Sequence, residues 1–158
     1  MHLLPAVPLT LLLVNPPVSG IGAPELPQSP AADACALFRL DEAGKATGRI
    51  FRRARPGKQP GGTTCDLIGG TEGNIAVTLS PSSSKKTLDD FRKLLAEQGE
   101  KVEPVSGVGD EAFYWGDRIH VRFGSQLLVI WNGDSSQPSD RVRADVLALA
   151  KLAALKLK

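Results

Sequence analysis

The sequence predicts an α+β fold: an antiparallel sheet of about five strands, one helix inserted between its hairpins, and a long C-terminal helix packed on the sheet. Three observations predict it. From Asn74 to Ser80, Ile75, Val77 and Leu79 alternate with Asn74, Ala76 and Thr78, the period-two pattern of an antiparallel strand buried on one face and wet on the other. Arg118–Phe123 and Gln126–Trp131 flank Gly124-Ser125, a two-residue turn that fixes a tight hairpin register. Beyond Ser139 the pattern becomes helical, with Val142, Val146, Leu149 and Ala153 on one stripe, extended on the flanks by Leu147, Ala150, Leu152 and Leu157.

A chain of 158 residues with 42% hydrophobic content suits one domain with a packed core and an N-terminal extra. The balance of 19 basic against 17 acidic side chains excludes a global attraction to nucleic acid or anionic membranes, so binding of either would have to be local. Leu3 to Val14 is apolar apart from Thr10, too short to cross a bilayer of about 30 Å comfortably as a helix but matching the apolar region of a signal peptide. Small residues at Val18-Ser19-Gly20 suit cleavage after Gly20. The expected organisation is a signal peptide over 1–20, a flexible Pro- and Ala-rich mature N-terminus over 21–32, and a single domain over 33–158. No transmembrane span is expected in the mature chain. With no cysteine near the cleavage region to carry lipid, the product is expected in the periplasm or outside the cell. An even count of two cysteines, Cys35 and Cys65, in an exported chain favours a disulfide, worth about 3–4 kcal/mol on chain-entropy grounds. As metal ligands they are poor, lacking a Cys-x-x-Cys spacing and having only His120 as a mature histidine, so neither metal nor cofactor is expected.

Taken in order, Asp33 can cap a short helix from Ala34, and Asp41-Glu42 can open a second that Gly48 ends. Ile50 and Phe51 allow a short strand, followed by a loop over Pro56-Gly57-Lys58-Gln59-Pro60-Gly61-Gly62. Cys65–Ile68 and Asn74–Ser80 form a hairpin through Gly69-Gly70-Thr71-Glu72-Gly73. Thr87 is the expected cap of the inserted helix, whose stripe is Leu88, Phe91, Leu94 and Leu95 and whose end is Gly99. Val105 to Trp115 reads as a glycine-rich turn entering a strand, because Gly107 and Gly109 permit backbone angles that side chains forbid. The Gly124-Ser125 register sets Val121 against Leu128 and Ile119 against Ile130 on an apolar surface. It sets Arg118 against Trp131, His120 against Val129 and Arg122 against Leu127 on the other. Ser139 is the expected cap of the C-terminal helix.

The second, mixed surface is the leading candidate for binding: Arg118, His120, Arg122, Trp115 and Trp131, with Arg118 over Trp131 as a cation–π contact. Asp110, Glu111 and His120 are an alternative, as the acid–base set of a small hydrolase or lyase. Adjacent strand residues point to opposite faces, and neither a Gly-x-Ser-x-Gly elbow nor a His-Glu-x-x-His helix occurs, so the plainer roles of turn capping for Asp110 and solubility for Glu111 are preferred and no catalytic residue is assigned. A third candidate is the segment from Lys45 to Lys58, with Lys45, Arg49, Arg52, Arg53, Arg55 and Lys58 and no acid, as a polyanion-binding patch. Its plainer reading is a solvated edge strand whose charges discourage aggregation, and nucleic acid is disfavoured because Phe51 is its only aromatic.

Asp33-Ala34-Cys35-Ala36-Leu37, Glu42, Gly48, Cys65, Val105-x-Gly107-Val108-Gly109-Asp110-Glu111-Ala112-Phe113 and Val121-Arg122-Phe123-Gly124 together resemble a group of small bacterial exported proteins. Many of these are similar to envelope lipoproteins of unknown function, including those of actinobacteria. The resemblance spans the whole mature domain and implies an α+β domain with an antiparallel sheet, a disulfide between Cys35 and Cys65, and no catalytic residues. The chain departs from the pattern at Arg39, where threonine is common, at Leu67, where an aromatic is common, and in lacking a lipid-attachment cysteine. The expected function is therefore an exported, non-enzymatic envelope or secreted domain that binds a partner or small ligand.

Overall fold

The computed structural model describes residues 33–70, 73–81, 85–134 and 136–157, so the expected signal peptide over 1–20 and mature N-terminus over 21–32 lie outside the described residues. Asp33 accepts a hydrogen bond from the Cys35 backbone N–H at 2.9 Å and caps a 3-10 turn over Ala34–Leu37. Helix α1 spans Leu40–Thr47, with Asp41 and Glu42 in its first turn where the helix dipole favours them, and ends on Gly48 at φ 68°. The strands are β1 (Phe51–Gln59), β2 (Gly62–Gly69), β3 (Asn74–Pro81), β4 (Val102–Val105), β5 (Glu111–Trp115), β6 (Arg118–Phe123) and β7 (Gln126–Asn132); α2 (Lys85–Glu97) lies between β3 and β4, and α3 (Ser139–Ala154) follows β7.

The strands form one antiparallel sheet in the order β1-β2-β3-β7-β6-β5-β4. It consists of two meanders, β1 to β3 and β4 to β7, closed against each other by the β3–β7 pair. The strand count is seven instead of about five. One difference is β4, a four-residue strand containing Pro104 that carries too little pattern to be read. The strand expected at Ile50 and Phe51 also differs in extent: β1 begins at Phe51 and runs on through Pro56 and Gly57, where the sequence suggests a loop. As an edge strand, β1 loses no ladder bond to the missing proline N–H when it faces away from β2. Two caps are also corrected. Helix α2 starts at Lys85, ahead of Thr87, and α3 starts at Ser139 with Pro138 at the cap position and no side-chain capping bond. The end of α2 is as expected: Gly99 at φ 78° lets its N–H reach Ala96 O at 3.0 Å while Glu100 N–H reaches Leu95 O at 2.9 Å.

Each face of the sheet has its own cover. On one, Leu67, Ile75, Val77, Ile119, Val121, Leu128 and Ile130 are fully buried against Val146, Leu149, Ala150 and Ala153 of α3 and against Ala34, Leu37 and Ala43. Each such aliphatic side chain contributes about 1.5–3 kcal/mol by leaving water. The Cys35–Cys65 disulfide ties the 3-10 turn to β2 on this side. On the other face α2 covers β4 to β6, with Leu88, Leu95 and Phe113 buried and Phe91, Val102, Trp115 and Leu127 around them. The rest of that face is open among the described residues: Thr64, Asp66, Ile68, Ala76, Thr78 and Val129 are half-buried and Trp131 is exposed.

Candidate functional site

The site forms where α2 stops and the open half of the sheet begins. Three registers build it: β6–β7 places Arg118 opposite Trp131, β5–β6 places Trp115 opposite Arg118, and β3–β7 places Ala76 opposite Trp131. The Arg118 guanidinium lies 4.8 Å from the Trp115 ring centroid and 5.6 Å from that of Trp131, a cation between two indoles. Asp117, in the β5–β6 turn, accepts hydrogen bonds from Arg118 Nε at 3.3 Å and from Trp131 Nε1. Trp115 Nε1 donates to Glu100 at 3.1 Å. Trp131 is therefore held by its polar edge yet remains 44% exposed. Its cross-strand neighbour on β3 is only an alanine, too short to cover the ring.

Beside Asp117 opens a cleft of about 380 Å³ between the β5–β6 turn, the segment after β7 and the start of α3, lined by Asp117, Asn132, Asp134, Gln137, Ser139 and Arg143 among others. Arg143 is fixed by Glu103, which receives Nη1 at 2.6 Å and Nη2 at 3.2 Å, and it lies 5.3 Å over the Tyr114 ring. These bonds, with a further one from Lys101, hold the Glu103 carboxyl down to about 2. Hydrogen bonding from Ser136 holds the Asp134 carboxyl below the usual range.

Behind the cleft lies a buried polar cluster with no counterpart in the sequence reading. Asp145, 1% exposed on α3, accepts from Arg49 Nη1 at 3.2 Å and from Asn132 Nδ2 at 3.4 Å, and pairs with Arg141 Nε at 3.3 Å. Arg49 also lies 3.8 Å from Asp134, and Arg141 donates to the Thr47 carbonyl. Arg49 is thus no part of a solvated basic segment; it is 3% exposed, whereas Lys45, Arg52, Arg53, Arg55 and Lys58 are exposed. Its position one residue past the αL glycine of α1 turns it inward, a feature that charge composition cannot report.

The five residues expected on one binding surface do share a face, but α2 divides them. Trp131 and Arg118 stand at the open part and Trp115 at the boundary, while His120 is 6% exposed beneath α2, stacked on Phe113 at 4.9 Å and 10° with Phe91 5.3 Å and Trp115 6.2 Å away. Burial, and then the charge of Arg118, lowers the His120 pKa to about 4, and among the described residues neither imidazole nitrogen has a hydrogen-bond partner. Arg122 is turned to Asp110 at 3.0 Å. Asp110 also accepts the Gly124 N–H at 2.7 Å, so it closes the turn, and Glu111 pairs with Arg92 of α2 at 3.4 Å. Asp110, Glu111 and His120 are each engaged with different neighbours and do not hydrogen-bond one another. Among the described residues, no group of three or more His, Cys, Asp or Glu is placed to hold a metal ion. No protein-family model and no curated protein matches the chain.

Proposed function

We propose that the protein is an exported, non-enzymatic domain of the bacterial envelope or surroundings that binds a partner or small ligand at the Trp131–Arg118 corner of its sheet. One observation carries the reading: an indole left nearly half exposed on an uncovered sheet face, while its edge and one flank are fixed by Asp117 and Arg118. A preorganised aromatic offers large contact area and loses little side-chain freedom on binding, which suits recognition better than solubility. The Cys35–Cys65 disulfide agrees with an oxidising compartment, and no helix among the described residues is long and apolar enough to cross a membrane. The resemblance to small exported proteins points the same way. The hydrolase or lyase alternative is less favoured, because His120 lacks a carboxylate to orient it and Asp110 is spent on the Gly124 turn.

Retention of the purified protein on an isolated envelope fraction of its host tests the reading. Trp131→Ala and Arg118→Ala should each lower retention about tenfold, as truncation of a binding hot spot does. Leu94→Ala, which removes an equally exposed apolar side chain from α2, should not. All three should melt within a few degrees of the parent. Equal retention by all three variants and the parent would remove the corner as a binding site.

A further inference from the structure

Two arginines of the basic segment, Arg53 and Arg55, and the tryptophan–arginine surface lie on one face of one sheet. The register carries a single row across five strands: Arg55, Asp66, Ala76, Trp131, Arg118. The next row is Gly57, Thr64, Thr78 and Val129, and on the other side Arg53 stands opposite Ile68. The relief of this surface follows from side-chain size. Arg53 and Arg55 rise from β1 and Trp131 rises from β7, while Gly57, Thr64, Ala76 and Thr78 keep the floor low. With three interstrand spacings between them, the strands that carry the walls, β1 and β7, run about 14 Å apart.

We propose that this trough binds an acidic polysaccharide, laid along β2 and β3, with a sugar ring stacked on Trp131 and its carboxylates turned to Arg53 and Arg55. This rests on the binding-domain reading above and names its ligand class. The chemistry of each wall supports it. A pyranose presents a flat patch of C–H groups that matches the exposed part of the Trp131 indole, and its hydroxyls match the Thr64 and Thr78 hydroxyls on the floor. The far wall is cationic: Arg53 is exposed, and Arg55, 65% exposed along its side chain, directs both Nε and Nη2 to a single oxygen of Asp66, which is the only carboxylate in the row. Arg52, beside them on the same strand, is also exposed. A nucleic acid is a poorer match, since single strands are held by successive stacked aromatics and among the described residues this face exposes one, Trp131. An acidic polypeptide would satisfy the arginines but leave the Trp131 face without a flat partner.

The test titrates the intact, oxidised protein with oligogalacturonates of increasing length, following indole emission and heat. Neutral oligosaccharides of equal length, poly-glutamate and oligo-dT are the comparisons. Uronate affinity should rise with length until the trough is spanned, and fall as salt is raised. Trp131→Ala should weaken uronate binding about tenfold. Arg53→Gln with Arg55→Gln should abolish the preference over the neutral sugar and flatten the salt response; these exposed substitutions should leave the melting curve unchanged. Equal binding of the neutral sugar, equal or tighter binding of poly-glutamate or oligo-dT, or indifference to Trp131→Ala would each overturn the proposal. If no saccharide binds while envelope retention still depends on Trp131, the ligand class is wrong and the binding-domain reading survives; if retention is also indifferent to Trp131, both fall.

Discussion

At the scale of single residues, His120 is the most informative, because its chemistry was expected on a surface and is found in an aromatic box. A neutral imidazole serves there as a flat ring against Phe113; an imidazolium would be a cation near Arg118 with no acceptor. The folded pKa of about 4 lies below the unfolded value of 6.5, so the unfolded chain binds the proton more tightly. The sign follows: the His120 contribution to stability is whole above pH 6.5 and is lost as pH falls towards 4, by about 3 kcal/mol at 1.36 kcal/mol per pKa unit. His120→Phe should abolish that part of the pH dependence, so urea titrations at pH 7 and pH 4 should separate the parent from the variant by about this amount. Equal pH slopes would show that the fold does not lower the His120 pKa. Its burial was illegible in the sequence, because the hairpin register gives the face a residue occupies but not where a distant helix comes to rest on that face.

At the scale of elements, the sequence was most legible where local chemistry decides. The Gly124-Ser125 turn gave the β6–β7 register, down to Arg118 opposite Trp131 and Val121 opposite Leu128. Alternation gave β3, and αL glycines gave the ends of α1 and α2. It failed where context outweighs propensity: Pro56 reads as a breaker but is harmless in an edge strand, and Ser139 reads as a cap but is the first residue of α3. The docking of α1 against α3 was equally hidden. Arg49, Asn132, Asp134, Arg141 and Asp145 join the end of α1, the end of β7 and α3 through a polar set centred on the buried Arg49 and Asp145, and charged residues in a sequence read as surface. Asp145→Ala removes the buried carboxylate to which Arg49 and Asn132 donate, so it should cost about 3–5 kcal/mol by denaturant titration. A cost under about 1 kcal/mol, the range of an exposed ion pair, would show that the cluster is solvated.

At the scale of the whole molecule, the α+β architecture and its covering helices were legible, whereas the union of the two meanders was not. Nothing local in β3 or β7 names the other as partner, and so the continuity between β1 and the Trp131 corner emerges only from the complete sheet. Export, expected from the first residues, is a matter for the intact chain: mass measurement on protein from the host's envelope or culture fluid should find a start near Ile21 and Cys35 and Cys65 oxidised, and a full-length chain with two free thiols would overturn it. The β3–β7 seam also dictates an order of assembly. Until Gln126–Asn132 is present, β3 is an unpaired edge with Ile75, Val77 and Leu79 on its inner side, and the ladder that joins the halves spans a long stretch of chain. Such a closure is entropically late and leaves a sticky template exposed while it waits. Joining of the two meanders is therefore the late step, and anything that delays the last strand leaves the β3 edge open to strand-to-strand association.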